Sequence, residues 1–134
     1  MSALSFYLAW IGCANALGVG LLVGALHEGF ADGLLRRWTR MIPPDEPYRH
    51  SPYGRVWLWW AIIGTGFFAA LNFVALGWPP AYARVIAWGN VYCYGSFELL
   101  AIAASLSPRW GAGVRVAHVL WIGQTGWGVW ALLR

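Results

Sequence analysis

The sequence predicts an all-α integral membrane protein, a single domain over residues 1–134: an antiparallel four-helix bundle with a short amphipathic interfacial helix between spans one and two. Three observations predict it. Of the 134 residues, 60% are hydrophobic and only 10% charged, against roughly 25% charged in a soluble globular chain. Four apolar stretches, 6–26, 56–76, 85–106 and 116–133, are each near the length of about 20 residues that a helix needs to cross a bilayer. Glu98 is the only carboxylate inside any of them. The runs are continuous rather than alternating, with Gly and Ala spaced at three and four, which excludes the short strands of a membrane barrel.

In the first span, Gly12, Ala16, Gly20 and Gly24 recur every four residues, a spacing that lets two helix backbones approach closely. The facing helix is either in the same chain or in a second copy. No Lys or Arg precedes Arg36, so this span lacks the basic leader of a cleaved signal and is expected to remain. Beyond it, Leu26, Phe30, Leu34 and Trp38 form one i+4 row beside a second row of Glu28, Asp32, Arg36 and Arg40, the pattern of an interfacial helix. Pro43 and Pro44 end it. Gly77-Trp78-Pro79-Pro80 joins spans two and three, and the Pro- and Gly-containing segment 107–113 joins three and four. Connections this short force antiparallel neighbours.

The net charge of +4 comes from nine Arg and no Lys. Seven arginines fall in the two connections 27–55 and 107–115, and only Arg84 and Arg134 lie opposite. The positive-inside rule therefore expects those connections in the cytoplasm and both termini outside, in the inner membrane of a bacterium. Trp38, Trp57, Trp59, Trp60 and Trp110 are expected as one interfacial belt, and Tyr7, Trp78, Tyr82 and Trp130 as the other. The charge is thus topological, and nucleic acid is not an expected partner. Without lysine there is no Schiff-base chemistry. Cys13 and Cys93 show no redox or zinc spacing and are read as free thiols. His27, Glu28, Asp32 and His50 read as solvated interfacial groups, and neither a metal nor a cofactor is predicted.

An unpartnered polar group is costly in hydrocarbon. Counted from the cytoplasmic end of each span, Asn15 lies about 16 Å deep, Thr65 about 14 Å, Glu98 about 12 Å and Gln124 about 15 Å. These four are expected to converge into one hydrogen-bonded layer, with His118 about 6 Å deep below Glu98 and Asn72 and Asn90 about 24 Å deep beyond it. On the third span Asn90, Tyr94, Glu98 and Ser105 share a face, which aims Tyr94 and Glu98 into the same space. Trp121 lies deeper than the belts and is read as core packing or ligand surface. Glu98, His118 and Tyr94 are the candidate reactive groups. Asn15, Thr65, Asn72, Asn90, Trp121 and Gln124 are the candidate substrate contacts.

Two chemistries suit a carboxyl in aromatic surroundings. It can bind a lipophilic cation by charge pairing and cation–π contact, or, held neutral, it can donate a proton to a lipid-soluble substrate as general acid. The sequence therefore points first to a proton-coupled carrier or channel-like protein for a small lipophilic or cationic solute. The alternatives are a membrane isomerase or cyclase, and an accessory subunit of a larger membrane complex. The length and four spans resemble small multidrug transporters, but those carry their essential Glu in the first span, where this chain has Asn15, so no residue role carries over. The expected partners are the lipid bilayer, a small lipophilic ligand, and either further copies of the chain or a larger membrane complex.

Overall fold

The computed structural model describes residues 2–27, 52–105 and 113–134. Among them are four helices and no strand: α1 (Ala3–His27), α2 (Pro52–Ala75), α3 (Pro80–Ser105) and α4 (Gly113–Leu133). The expected interfacial helix, the residues Glu28, Asp32 and His50, and the connection 106–112 lie outside the described residues.

Helix starts fall three to five residues before the apolar runs, because local capping chemistry rather than hydrophobicity sets them. Ser2 caps α1, its hydroxyl accepting the Ser5 amide at 3.1 Å. α2 and α3 each begin on a proline, Pro52 and Pro80, whose fixed φ suits the first helical position and whose missing N–H costs nothing there. α2 ends in a turn closed by Gly77 N–H to Val74 C=O at 3.0 Å and Trp78 N–H to Ala75 C=O at 3.2 Å. At the far end of the chain, Arg84 on the first turns of α3 donates to the Leu132 carbonyl at 3.2 Å, satisfying one of the free carbonyls that end α4.

Sequence neighbours run antiparallel. The Phe73 ring of α2 lies 3.0 Å from where a Cβ on Gly12 would sit, and Thr65 Cγ2 lies 3.4 Å from the same position on Gly18. α3 and α4 pair in the same sense, Gly95 opposite Thr125 and Val91 opposite Gly128. The broadest interfaces are α1 with α2 and α3 with α4, and narrower seams of α1 with α3 and α4, and of α2 with α3, close the bundle. Tyr7, Leu8 and Ile11 of α1 form the core with Ala83, Ala87 and Tyr94 of α3 and Ala131 and Leu132 of α4. The Trp127 ring sits against Phe6, Tyr7 and Trp10, with centroids 5.5, 5.8 and 6.0 Å away, and fastens α4 to α1. Tyr7, expected in an aromatic belt, is instead fully buried, because its ring faces this seam.

The small-residue row of α1 is only partly used within the chain. Gly12 packs on α2, whereas Ala16 is exposed and nothing lies within 4 Å of a Cβ at Gly20. Cys13 and Cys93 are both free, Cys13 on the exterior.

Large apolar side chains cover the exterior while, beside the apolar core, three polar side chains are buried. Asn72 is 0% exposed, Asn90 1% and Glu98 9%, while Tyr92 is 78%, Trp60 71% and Leu17 68% exposed. Among the described residues, two helices are long and apolar enough to cross a membrane, through Ala3–Gly24 (mean hydropathy 1.8) and Leu58–Ala75 (1.6). The sequence reading gave four spans.

Gly128 is where the fold depends on a missing side chain. A Cβ there would come 2.5 Å from Val91 Cγ2 and 2.7 Å from the Tyr7 hydroxyl, which is held by a rigid ring. Gly128→Ala should therefore destabilise the purified protein by about 1–3 kcal/mol through overpacking. Two residues earlier, on the other side of the helix, Gly126→Ala meets open space and should be neutral or stabilising by up to about 1 kcal/mol from helix propensity. Thermal unfolding of the two variants side by side checks this, and equal Tm shifts would refute it.

Candidate functional site: the polar face of α3

Residues four apart on a helix lie one turn, about 6 Å, along the axis and rotate by about 40°. Asn90, Tyr94 and Glu98 therefore form one slowly turning row on α3, and all three side chains are buried. Each reaches a different helix.

Asn90 reaches α2. Its Nδ2 donates to Asn72 Oδ1 at 2.7 Å, and Asn72 Nδ2 donates back to Asn90 Oδ1 at 3.2 Å and to the Phe68 carbonyl at 2.8 Å. The two amides satisfy each other in the wholly buried interior, and neither oxygen is left without a donor.

Tyr94 reaches α1. Asn15 Nδ2 lies 2.9 Å from the Ile11 carbonyl and 2.9 Å from the Tyr94 hydroxyl. The carbonyl can only accept, so the atom facing it must be the amide nitrogen, and the Tyr94 oxygen is the acceptor of its second N–H.

Glu98 reaches α4. Its Oε1 and His118 Nδ1 are hydrogen-bonded at 2.5 Å, with side-chain exposures of 11% for Glu98 and 21% for His118. Both atoms carry lone pairs, so the contact needs a proton between them, held by the imidazole or by the carboxyl. The other oxygen, Oε2, is buried and has no hydrogen-bond partner among the described residues. On the same helix, Tyr94 and Phe97 are edge-to-face at 6.4 Å, and Phe97 meets Trp121 of α4 at 5.7 Å.

The expected single layer of Asn15, Thr65, Glu98 and Gln124 is not what forms. Asn15 bonds Tyr94 rather than Glu98. Thr65 turns its methyl to Gly18, and the half-buried Gln124 makes no hydrogen bond with described residues. Equal depth does not bring groups together when they lie on different seams of the bundle. Trp121 packs on Phe97 of α3. The Ser105 side chain lies outside the described residues. Two buried hydroxyls went unforeseen, those of Tyr7 and Thr125, both without partners among the described residues. Phe97 was also missed, although its place next to Glu98 in the sequence was a usable signal.

Comparison with known proteins finds no family model, curated protein or solved structure that matches this chain.

The Asn72–Asn90 pair is expected to behave as a unit. Asn72→Leu or Asn90→Leu alone strands a buried amide at a cost of about 1–3 kcal/mol, while the double variant removes both and should cost less than the two singles summed. A double-mutant cycle on unfolding free energy measures the difference, and strict additivity would contradict a coupled pair.

Proposed function

We propose that the chain is a membrane-embedded four-helix bundle that exchanges a proton for a lipophilic organic cation at Glu98. A bundle with polar residues inside and large apolar side chains outside suits hydrocarbon on all sides. All four helices then span, the arginine-rich connections face the cytoplasm and both termini lie outside. In this reading α3 and α4 are tolerated in lipid because Asn90 and Glu98 are buried and Tyr82, Trp88, Tyr92 and Trp130 face outward.

The observation that carries the functional reading is the half-satisfied carboxyl. Glu98 shares a proton with His118 through Oε1 and keeps a buried Oε2 that has no hydrogen-bond partner among the described residues, on a helix that also carries the ring pair Tyr94 and Phe97. When the pair holds one proton beyond the imidazole's own N–H it is neutral, and it is that extra proton which exchanges. When a cation approaches the carboxylate, the proton leaves and the site stays neutral, so charge balances one for one. Charge pairing supplies selectivity for cations, and desolvated cation–π contact contributes up to about 2 kcal/mol. An ammonium or phosphonium without N–H or O–H groups fits best, since it loses little hydration on entering.

Adding tetraphenylphosphonium to the purified protein in weakly buffered detergent should release close to one proton per cation bound. Glu98→Gln should abolish the release and weaken binding by roughly tenfold or more. Binding without proton release would refute exchange. A chemically altered isoprenoid recovered from the wild type but not from Glu98→Gln would establish the general-acid reading instead. A Glu98→Gln protein as stable and as well assembled as wild type, with neither activity changed, would leave an accessory subunit.

A further inference from the structure

The hydrogen-bond inventory of the α3 face leaves one donor and one acceptor unaccounted for, and they are one turn apart. Asn15 Nδ2 touches both the Ile11 carbonyl and the Tyr94 hydroxyl, so its two N–H groups are both spent and the Tyr94 oxygen receives one of them. The hydroxyl proton of Tyr94 therefore points away from Asn15, and no described residue accepts it. Tyr94 is 8% exposed, which denies that proton bulk water. The complementary orphan is Oε2 of Glu98, buried, able only to accept while its proton lies on the His118 side, and lacking a donor. At i and i+4 on one helix the two side chains start about 5–6 Å apart at Cβ and share a face.

We infer that Asn15 is a positioning residue for Glu98: it fixes the Tyr94 hydroxyl as a donor directed along α3, so that Tyr94 becomes the hydrogen-bond partner of Glu98 when the bond to His118 is given up. Glu98 thus has two alternative partners on two helices, the imidazole of α4 while the proton is held and the phenol of α3, steered by α1, once it has left. The phenol stabilises the bare carboxylate without neutralising it, leaving its charge for the cation. No electron or heavy atom moves. One proton leaves the Glu98–His118 pair and one O–H···O bond replaces the lost N···O contact. This inference rests on the proton-exchange reading of Glu98.

Infrared difference spectra of a protein with Glu98 against the same protein carrying Glu98→Gln isolate the Glu98 carboxyl, and they can be taken with and without tetraphenylphosphonium. In the Tyr94→Phe background, which deletes one oxygen, the Glu98 band with the probe bound should shift to the frequency of a carboxyl that has lost a donor. Asn15→Asp should produce the same shift without touching Glu98 or Tyr94, because the introduced carboxylate accepts the Tyr94 proton and turns it away. Asn72→Leu, which disturbs the same bundle elsewhere, should leave the band in place. A Glu98 band unmoved by both Tyr94→Phe and Asn15→Asp, with and without the probe, overturns the inference. Equal shifts from Asn72→Leu and Asn15→Asp also overturn it, since they report general loosening. A probe that binds with no change in Glu98 protonation overturns the exchange reading, a result separate from whether the band moves.

Discussion

Helix α3 is fixed in rotation by three polar contacts on one face, and the placement of the other helices follows from them. Asn90 holds α2, Tyr94 holds α1 and Glu98 holds α4. All four helices are apolar around most of their circumference, so burial alone prefers no particular face of any of them toward the interior. If α3 turned by one residue, about 100°, all three contacts would be lost together. In an apolar surrounding such bonds are individually modest, about 0.6 kcal/mol on average. Their effect here is directional: each excludes rotations that the apolar exterior would tolerate, because the alternative strands a buried amide or acid.

Close packing then follows where side chains are smallest. Gly12 and Gly18 admit Phe73 and Thr65 from α2, and Gly128 admits Tyr7 and Val91. Other glycines, at 20, 64, 89, 123 and 126, meet nothing within 4 Å, so glycine content by itself does not mark the seams. The distinction is rotational. Gly128 follows His118 by ten residues on α4, about 80° short of three full turns, so with His118 turned to Glu98 of α3 the bare backbone at Gly128 lies round toward α1, where it meets Tyr7 as well as Val91. The polar contact and the steric fit specify one orientation of α4 independently.

How much of this was legible depended on which coordinate the sequence encodes. Position along an axis is nearly free information: at 1.5 Å per residue it put His118 within a side chain's reach of Glu98 and paired Asn72 with Asn90, as found. Shared face within one helix was legible too, which is why Asn90, Tyr94 and Glu98 read correctly as one row. Angle about the bundle axis was not. Asn15, Thr65, Glu98 and Gln124 have similar depths yet face different neighbours, and nothing in an all-round apolar helix says which way each turns. Tyr7 illustrates the same gap, since a tyrosine near a span end reads as an interfacial anchor, and only the Gly128 opening across the seam turns it inward. Helix starts were missed by a few residues because Ser2, Pro52 and Pro80 set them rather than the hydrophobic runs.

Along α3, hydrogen-bond satisfaction falls steadily from one end of the polar row to the other. At Asn90 every heavy polar atom of the pair has a partner, and one amide makes two bonds. At Tyr94 the oxygen is satisfied as acceptor and its proton is not. At Glu98 a whole oxygen is left over. If the row served only to fix rotation, a third amide would do the work of Glu98 at lower cost, since an isolated buried charge is far more expensive than a neutral amide. Unsatisfied groups raise the energy of the empty protein and lower the cost of admitting something that completes them, and a carboxyl adds the one property the amides lack, an exchangeable proton. The asymmetry divides the row into an asparagine pair that is fully bonded and an acid end whose second oxygen has no partner among the described residues, the end on which the proposed exchange rests.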